Sequence, residues 1–236
     1  SPFRGLTAME MMHGLQEGKL KAMIIMGENP VVSDPDSGHV VKALSSAEFL
    51  LCLDIFPTPT TELAHMVLPG ASFAETDGTF TNSERRVQRV RQAIPPMAGR
   101  TNGQIIQALS RRLGYDMHYA SASEVFDEIC SLAPNMSGMS YARLEGKGLC
   151  WPCPTPDHPG TPILHQGRFT RGKGLFAAIP HVPPAELPDE EYPFLLSTGM
   201  RHAHYLTGTM TRRCAMLERE LPELVTDINP ADAKKL

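Results

Sequence analysis

Four stretches of this chain carry residue types with chemical reach. The first is Gly27-Glu28-Asn29-Pro30, followed by Ser33 and Asp34. It closes the apolar run Lys21–Met26, where a parallel strand would end and a helix would begin. Strand ends and helix starts expose unpaired N–H groups that bind ligands in such sheets, and Glu28, Asn29 and Ser33 add acceptors and donors for the polar edge of a nucleotide. The same residues also suit a plain turn, since Gly, Asn and Pro are turn formers. Asp54, near the end of the next apolar run, is expected at the same rim, where a carboxylate matches the donor edge of guanine or caps the following turn. The second stretch spans residues 197–213. Thr198, Arg201, His204, Tyr205 and Thr207 supply hydroxyls, a cation and imidazole donors beside two glycines. A guanidinium fits a diphosphate bidentately; a solvated polar loop fits the composition equally well.

The third stretch is Glu75 to Val90, ETDGTFTNSERRVQRV. Read as a strand, it places Arg85, Val87 and Arg89 on one face and Arg86, Gln88 and Val90 on the other. Its arginines could rim an anionic cofactor or a substrate funnel, but a salt-bridged strand with Glu84 beside the arginines is the preferred reading. The fourth is Cys150-Trp-Pro-Cys153, formally a C-x-x-C. No second pair accompanies it and prolines surround it, so packing thiols are favoured over a metal site. The nine histidines are dispersed. No H-E-x-x-H, G-x-G-x-x-G or phosphate-binding loop occurs, so no catalytic residue and no metal ligand is assigned.

The elements that must position these residues alternate in the first third. Thr7-Ala-Met-Glu10 is a capping box opening a helix that turns Met9, Met12, Leu15 and Leu20 to a core and has Gly18 near its end. Buried strands are expected at Lys21–Met26 and Phe49–Phe56, a short helix through Ala43 and Leu44, a helical turn after Thr60-Thr61, and a third apolar run at Met66–Pro69. Strand and helix alternating in this way make a parallel sheet with covering helices. Gly78 to Val90 reads as a ribbon leaving that sheet. Thr101 and Ser121 cap two helices, with Ile105, Leu109 and Leu113 inward on the first and Val125, Ile129 and Leu132 inward on the second. Prolines and glycines crowd residues 151–193, as in a linker. A strand at Phe194–Thr198, a polar loop at Gly199–Gly208, a helix over Thr211–Leu221 and a new helix capped by Asn229 before Pro230 complete the order.

With 236 residues, 42% hydrophobic and 20% charged, the chain can bury a core and holds one domain or one domain and part of another. A net charge of −4 favours neither nucleic acid nor an anionic membrane, and no run is apolar over the roughly 18 residues a span requires. Ser1-Pro2-Phe3-Arg4 lacks a starting Met and a signal-peptide core and reads as a trimmed end. Five irregularly spaced cysteines suit a reducing compartment.

Several segments, in order along nearly the whole chain, resemble the catalytic subunit of molybdenum- or tungsten-dependent formate dehydrogenases of the molybdopterin oxidoreductase superfamily: GLTAMEMMHGLQEGKLKAMIIMGENP, LDIFPTPTTELAHMVLP, ETDGTFTNSERRVQRV, GLCWPCP, RFTRGKG, LPDEEYPFLLSTG, HYLTGTMTRR and DINPADAKKL. The ERR tract is shared with nitrate reductases, whereas WPCP, FTRGKG and TGTMTRR tilt toward formate dehydrogenases, particularly cytoplasmic ones with NAD-linked partners. The resemblance implies an α/β fold: a partial Rossmann-like dinucleotide-binding domain over 1–150, a linker over 151–193, and the start of a C-terminal β-barrel domain over 194–236. It implies a bis(molybdopterin guanine dinucleotide) cofactor carrying Mo or W, shared with parts outside this chain. A 4Fe-4S cluster and the metal-ligating Cys or selenocysteine are expected only in the full-length protein, upstream of Ser1. Formate and CO2 are the implied substrates, iron–sulfur or flavin electron-transfer subunits the implied partners, and this chain alone is expected to be inactive. An assimilatory or periplasmic nitrate reductase, another oxidoreductase of the superfamily, or a non-catalytic nucleotide-binding module on the same scaffold are the alternatives.

Carried over by position, Gly27, Glu28, Asn29 and Ser33 fall at one guanine nucleotide, Leu53 and Asp54 at the next strand-end contact, and Asn102 at a later one. Thr198, Met200, Arg201, His204, Tyr205 and Leu206 fall in the segment that wraps the pterin and diphosphate. Three positions depart from the family pattern. Leu53 stands where a glutamine is common, Asn102 replaces an Asp, and Thr198-Gly199-Met200-Arg201 replaces T-G-R, displacing the arginine by one.

Overall fold

The computed structural model describes residues 4–235; Ser1–Phe3, at the end read as trimmed, and Leu236 lie outside them. The chain divides into two compact units, one up to Leu175 and one from Phe176. That division falls inside the tract read as a linker.

The first unit begins as the sequence pattern requires. The Thr7 hydroxyl accepts from Glu10 N (3.3 Å) and the Glu10 carboxylate accepts from Thr7 N (2.6 Å), closing the N-terminus of α1 (Ala8–Gln16). Then follow β1 (Ala22–Met26), α2 (Pro30–Ser33), α3 (Ser37–Ser45), β2 (Phe49–Asp54), α4 (Pro59–Glu62) and β3 (Met66–Pro69). The strands form a parallel sheet in the order β1-β2-β3, with Ile24 opposite Leu51 and Leu51 opposite Met66. Met12 and Leu15 of α1, with Val40, Ala43 and Leu44 of α3, pack on Met23, Ile25, Leu50 and Cys52. This is the helix-covered face.

The opposite face is apolar and open. Ile24, Met26, Phe49 and Met66 are all exposed there, and only the central strand's Leu51 and Leu53 are buried. The expectation that β1 is buried on both faces is therefore corrected: helices cover one side, and burial alternates along the strand. Met9 also lies outside the packed stripe of α1.

A second, antiparallel sheet joins β4 (Gly78–Thr81), β5 (Arg86–Val90) and β6 (Leu149–Cys150). Between β5 and β6 run α5 (Asn102–Arg112) and α6 (Ala122–Leu132). Val87, Phe126, Cys130, Met139, Leu144 and Cys153 form its core. The inward face of α6 is thus Phe126 and Cys130, whereas the expected Val125, Ile129 and Leu132 face outward. Two apolar stripes compete on this helix, and burial selects the one whose aromatic ring meets Tyr141, at 5.5 Å between centroids. On α5 Ile105 is buried, but Leu113 is 79% exposed; it sits at the cap, where Gly114 at φ +87° turns the chain away.

The arginine-rich tract is consumed by this second sheet. Arg85 lies outside the strand at φ +65°, which corrects its expected alternation with Val87. Its guanidinium donates to the carbonyls of Trp151, Thr161 (3.1 Å) and Pro162 (3.2 Å), strapping the proline-rich tract onto the sheet. Arg86 pairs with Glu84 at 2.7 Å. Arg89 pairs with Asp77 (3.0 Å) and Glu145 (3.1 Å) and stacks on Tyr141. The salt-bridged strand is the outcome, and it is preferred to the rim reading because most of these arginines' donors are engaged within the fold, Arg89 Nε being left without a hydrogen-bond partner. Arg143 makes a similar strap, donating to the carbonyls of Gly138, Thr155 (3.3 Å) and His158 (2.6 Å) and lying 3.4 Å from Cys153 Sγ. Cys150 and Cys153 are buried free thiols.

In the second unit, the strand expected at Phe194–Thr198 is not formed: Phe194, Leu195 and Leu196 are exposed, and no described residue pairs with them in a ladder. A strand needs a hydrogen-bonded neighbour. The expected helix over Thr211–Leu221 is split into a 3-10 turn, Thr211–Arg213, and α7 (Ala215–Glu220) by an extended Cys214. The last helix, α8 (Pro230–Ala233), begins as expected, with Asn229 accepting from Ala231 N at 2.9 Å.

Two outcomes test this packing. Leu44→Ala should cost about 2–5 kcal/mol in urea unfolding, as for a fully buried leucine, whereas Leu113→Ala should leave the midpoint nearly unchanged. Glu75 offers a pH test. Its carboxylate accepts from Met97 N (2.6 Å) and Ser72 N (2.7 Å), and these backbone hydrogen bonds, Met97 first, hold its pKa below the usual carboxylate range. The stability it contributes is full above the ordinary glutamate pKa and is lost as pH falls through the lowered folded value. Glu75→Gln should flatten that part of the acid dependence of the urea midpoint.

Candidate functional site

The carboxyl ends of β1, β2 and β3 come together at one edge of the parallel sheet. Gly27 N–H donates to Leu53 O (2.9 Å) and Gly70 N–H donates to Asp54 O (2.8 Å), so the ladder continues into the loops and holds them side by side. Gly27 turns the chain at φ +63°, with open space where a Cβ would stand. A Cβ on Gly70 would come within 3.2 Å of the Asp54 backbone and 3.4 Å of Asn102 Oδ1, so this close approach depends on glycine.

The rim residues divide by what their side chains do. Glu28 is exposed on the loop. Asp54 is half-buried, and its Oδ1 accepts from Ile55 N at 2.7 Å. Ser33 is exposed at the end of α2, its hydroxyl 3.4 Å from Asp34 Oδ1. Asn29, by contrast, is buried: its Oδ1 accepts from the Thr60 hydroxyl at 2.7 Å, and the same oxygen of Thr60 accepts from Val31 N at 3.2 Å. Leu53 is buried beneath the rim, its side chain a core group. Asn102 accepts from Ala71 N (2.8 Å) and donates to Ala71 O (3.4 Å), docking the start of α5 on the loop after β3. A carboxylate could accept from Ala71 N but could not donate to Ala71 O, so Asn at this position makes both contacts.

Thr60 was missed by the sequence reading, although it is fully buried and latches two loops. Its signal was local: Thr58 and Thr61 form a reciprocal cap around α4 (3.2 and 2.8 Å), and that cap aims Thr60 across to Asn29. Glu75 and Arg143 were likewise missed: Ser72-x-x-Glu75 is a local capping box, but the contacts of Glu75 with Met97 and of Arg143 with Thr155 and His158 reach backbone groups more than ten residues away.

In the second unit, Met200, Arg201, His204, Tyr205 and Leu217 line a recess of about 410 Å³. Arg201 pairs with Asp227. His204 is buried, with Nε2 at 2.8 Å from Leu221 O and Nδ1 at 3.2 Å from the Thr211 hydroxyl, which also receives Tyr205 N (3.2 Å). Because a carbonyl oxygen only accepts, Nε2–H donates to Leu221 O. Met200, Tyr205 and Leu206 are exposed, Leu206 at φ +50°, and Thr198 is exposed as well. Among the described residues, no group of three or more His, Cys, Asp or Glu is arranged to hold a metal ion. No helix there is long and apolar enough to cross a membrane.

The latch has a measurable consequence. Thr60→Val keeps the shape but leaves Asn29 Oδ1 and Val31 N without their partner, and should cost about 1–3 kcal/mol in urea unfolding. Thr60→Ser, which keeps the hydroxyl, should restore most of it.

Comparison with known proteins gives this geometry a setting. Residues 2–112 match the family model described as molybdopterin oxidoreductase. The chain is 48% identical over 237 residues to the F420-dependent formate dehydrogenase 2 subunit alpha of Methanococcus maripaludis, a match covering 98% of this chain and 35% of that protein. It is 38% identical to the assimilatory nitrate reductase catalytic subunit of Bacillus subtilis, over 98% of this chain and 34% of that protein. Acetylene hydratase from Pelobacter acetylenicus superposes with a TM-score of 0.46 at 21% identity, over 57% of this chain and 19% of that one. The chain thus spans about a third of the length of the curated relatives it matches, and its residues 2–112 belong to the molybdopterin oxidoreductase family.

Proposed function

We propose that this chain is the part of a formate dehydrogenase catalytic subunit that holds the guanine nucleotide of its pterin cofactor. The observation that carries the reading is the 48% identity to a formate dehydrogenase alpha subunit along 98% of the chain, ten points above that to the nitrate reductase. The open apolar face of the parallel sheet supports a role within a larger body rather than as a separate module, since parallel sheets are covered on both faces. Residues 1–150 serve as the nucleotide-binding α/β portion, 151–193 as the connecting tract, and 194–236 as the start of the barrel domain.

The family implies a molybdenum or tungsten pterin cofactor, and the strand-end rim fits its nucleotide. Guanine presents N–H donors, and Glu28 and Asp54 present carboxylates at an edge that Gly27 leaves open. Asn29, Leu53 and Asn102 build that edge from beneath. Ser33 adds a hydroxyl, and the backbone around Thr198, Met200, Tyr205 and Leu206 is left to follow the pterin and diphosphate. Arg201 and His204 fit less directly, because their side chains bond within their own unit. A bound metal centre would supply the two-electron redox chemistry, and the residues of this chain would bind and orient the nucleotide. A guanine dinucleotide form and a 4Fe-4S cluster elsewhere in the subunit belong to the same proposal, as do a cytoplasmic location and electron-carrying partner subunits. The NAD-linked acceptor expected from the sequence finds no support in the M. maripaludis relative, which is named as F420-dependent, and we assign an F420-linked partner instead.

The complete subunit, purified with its cofactor, should reduce a viologen dye with formate, whereas this chain alone should not; formate-dependent reduction by the isolated chain would overturn the reading. Glu28→Gln and Asp54→Asn in the complete subunit should each weaken a charge-assisted contact by about 1.5–3 kcal/mol. Guanine released per subunit on acid hydrolysis should fall, and unchanged guanine content in both variants would sink the rim assignment.

A further inference from the structure

Most arginines of the first unit end on a carboxylate or a backbone carbonyl, as Arg85, Arg86, Arg89, Arg91 and Arg143 do. The segment RFTRGKG breaks that pattern. Arg168, Arg171 and Lys173 are exposed, and none of them takes part in a hydrogen bond or ion pair among the described residues. No Asp or Glu occurs between Asp157 and Glu186, so the chain around them carries no neutralising charge, although the whole molecule is net negative.

The segment is also built, not loose. Phe169 and Gly172 exchange N–H···O bonds of 3.2 and 2.9 Å, which makes a tight hairpin with Thr170 and Arg171 at its tip. Gly172 at φ +94° permits the turn. The Phe169 ring packs on His165, 5.3 Å between centroids, and lies against Gly174, where an added Cβ would meet the ring at 3.1 Å. These contacts fix three cations on one small projection. Beside it lies a recess of about 720 Å³ lined by Pro152, His158, Ile163, Arg168 and Phe169. Ile163, Phe169 and Leu175 are exposed around the cations.

We propose that the hairpin Gly167–Gly174 is a docking point for an acidic face of the electron-accepting subunit, with the apolar rim and recess receiving side chains of that partner. The proposal rests on the reading of this chain as part of a multi-subunit formate dehydrogenase. Aromatic, apolar and arginine groups side by side characterise protein interfaces, whereas a free anion would use the cations alone. Unpaired cations on a projecting turn raise the encounter rate with an acidic partner in a salt-dependent way.

The test uses the complete catalytic subunit and its electron-accepting subunit. The triple variant Arg168→Glu, Arg171→Glu, Lys173→Glu should weaken direct association, read by interferometry at low ionic strength, on the order of tenfold or more. It should raise the KM for the accepting subunit by a similar factor while leaving formate-to-dye turnover unchanged. The gap should narrow as salt is added, and Arg168→Lys with Arg171→Lys should behave like the parent. Unchanged association at low salt would overturn the proposal. So would a variant that loses only binding to inorganic phosphate, or to phosphatidylserine–phosphatidylcholine vesicles, and associates normally. Failure of the parent to reduce dye with formate would count against the functional reading alone, since association is measured without formate.

Discussion

The central strand β2 is the constraint on which the first half of the molecule depends. It pairs on both sides, with β1 and β3, and its alternate side chains Leu50 and Cys52 enter the helix-covered core while Leu51 and Leu53 stay buried on the other face. Because the side-chain period of a strand is two, a slip of one residue would exchange these sets and expose the core. The same register delivers Leu53 O to Gly27 N and Asp54 O to Gly70 N. Packing and rim geometry are therefore set by one ladder: the hydrophobic effect selects the register, and the register aligns the loops.

That alignment separates residues that build the rim from residues that can meet a ligand. Asn29, Thr60, Leu53 and Asn102 spend their side chains on the protein itself. Glu28 and Asp54 stand where strand ends open outward. A motif such as GENP thus mixes two jobs in adjacent positions, with the asparagine latched inward by Thr60 and the glutamate exposed. The ERR tract is a sharper case. Its arginines hold the proline-rich tract and the second sheet together through carbonyls and carboxylates, so the role the structure gives them is architectural.

The arginine straps also explain how a proline-rich tract becomes ordered. Prolines lack N–H donors and cannot join a ladder, but their carbonyls, and those of their neighbours, still accept. Arg85 and Arg143 each gather such carbonyls from several points along the tract and bring it onto the second sheet. Cations that are not spent in this way, at Arg168, Arg171 and Lys173, stand out by contrast.

Local grammar determined several elements of the first unit and the last helix of the second. The capping boxes at Thr7 and Thr101, the strand runs at Ala22–Met26 and Phe49–Asp54, the hairpin over Gly78–Val90 and the proline after Asn229 all formed where short-range rules place them, because each depends on neighbours within a few residues. Tertiary structure decided which stripe of α6 faces inward, which side of β1 is covered, and whether Phe194–Thr198 is a strand, since each needs a partner remote in sequence. It also decided the partners of Asn29, Asn102, Arg85 and Arg201. A polar side chain carries its chemistry in its type, but whether that chemistry faces a ligand or the protein is settled by where the rest of the chain puts its acceptors.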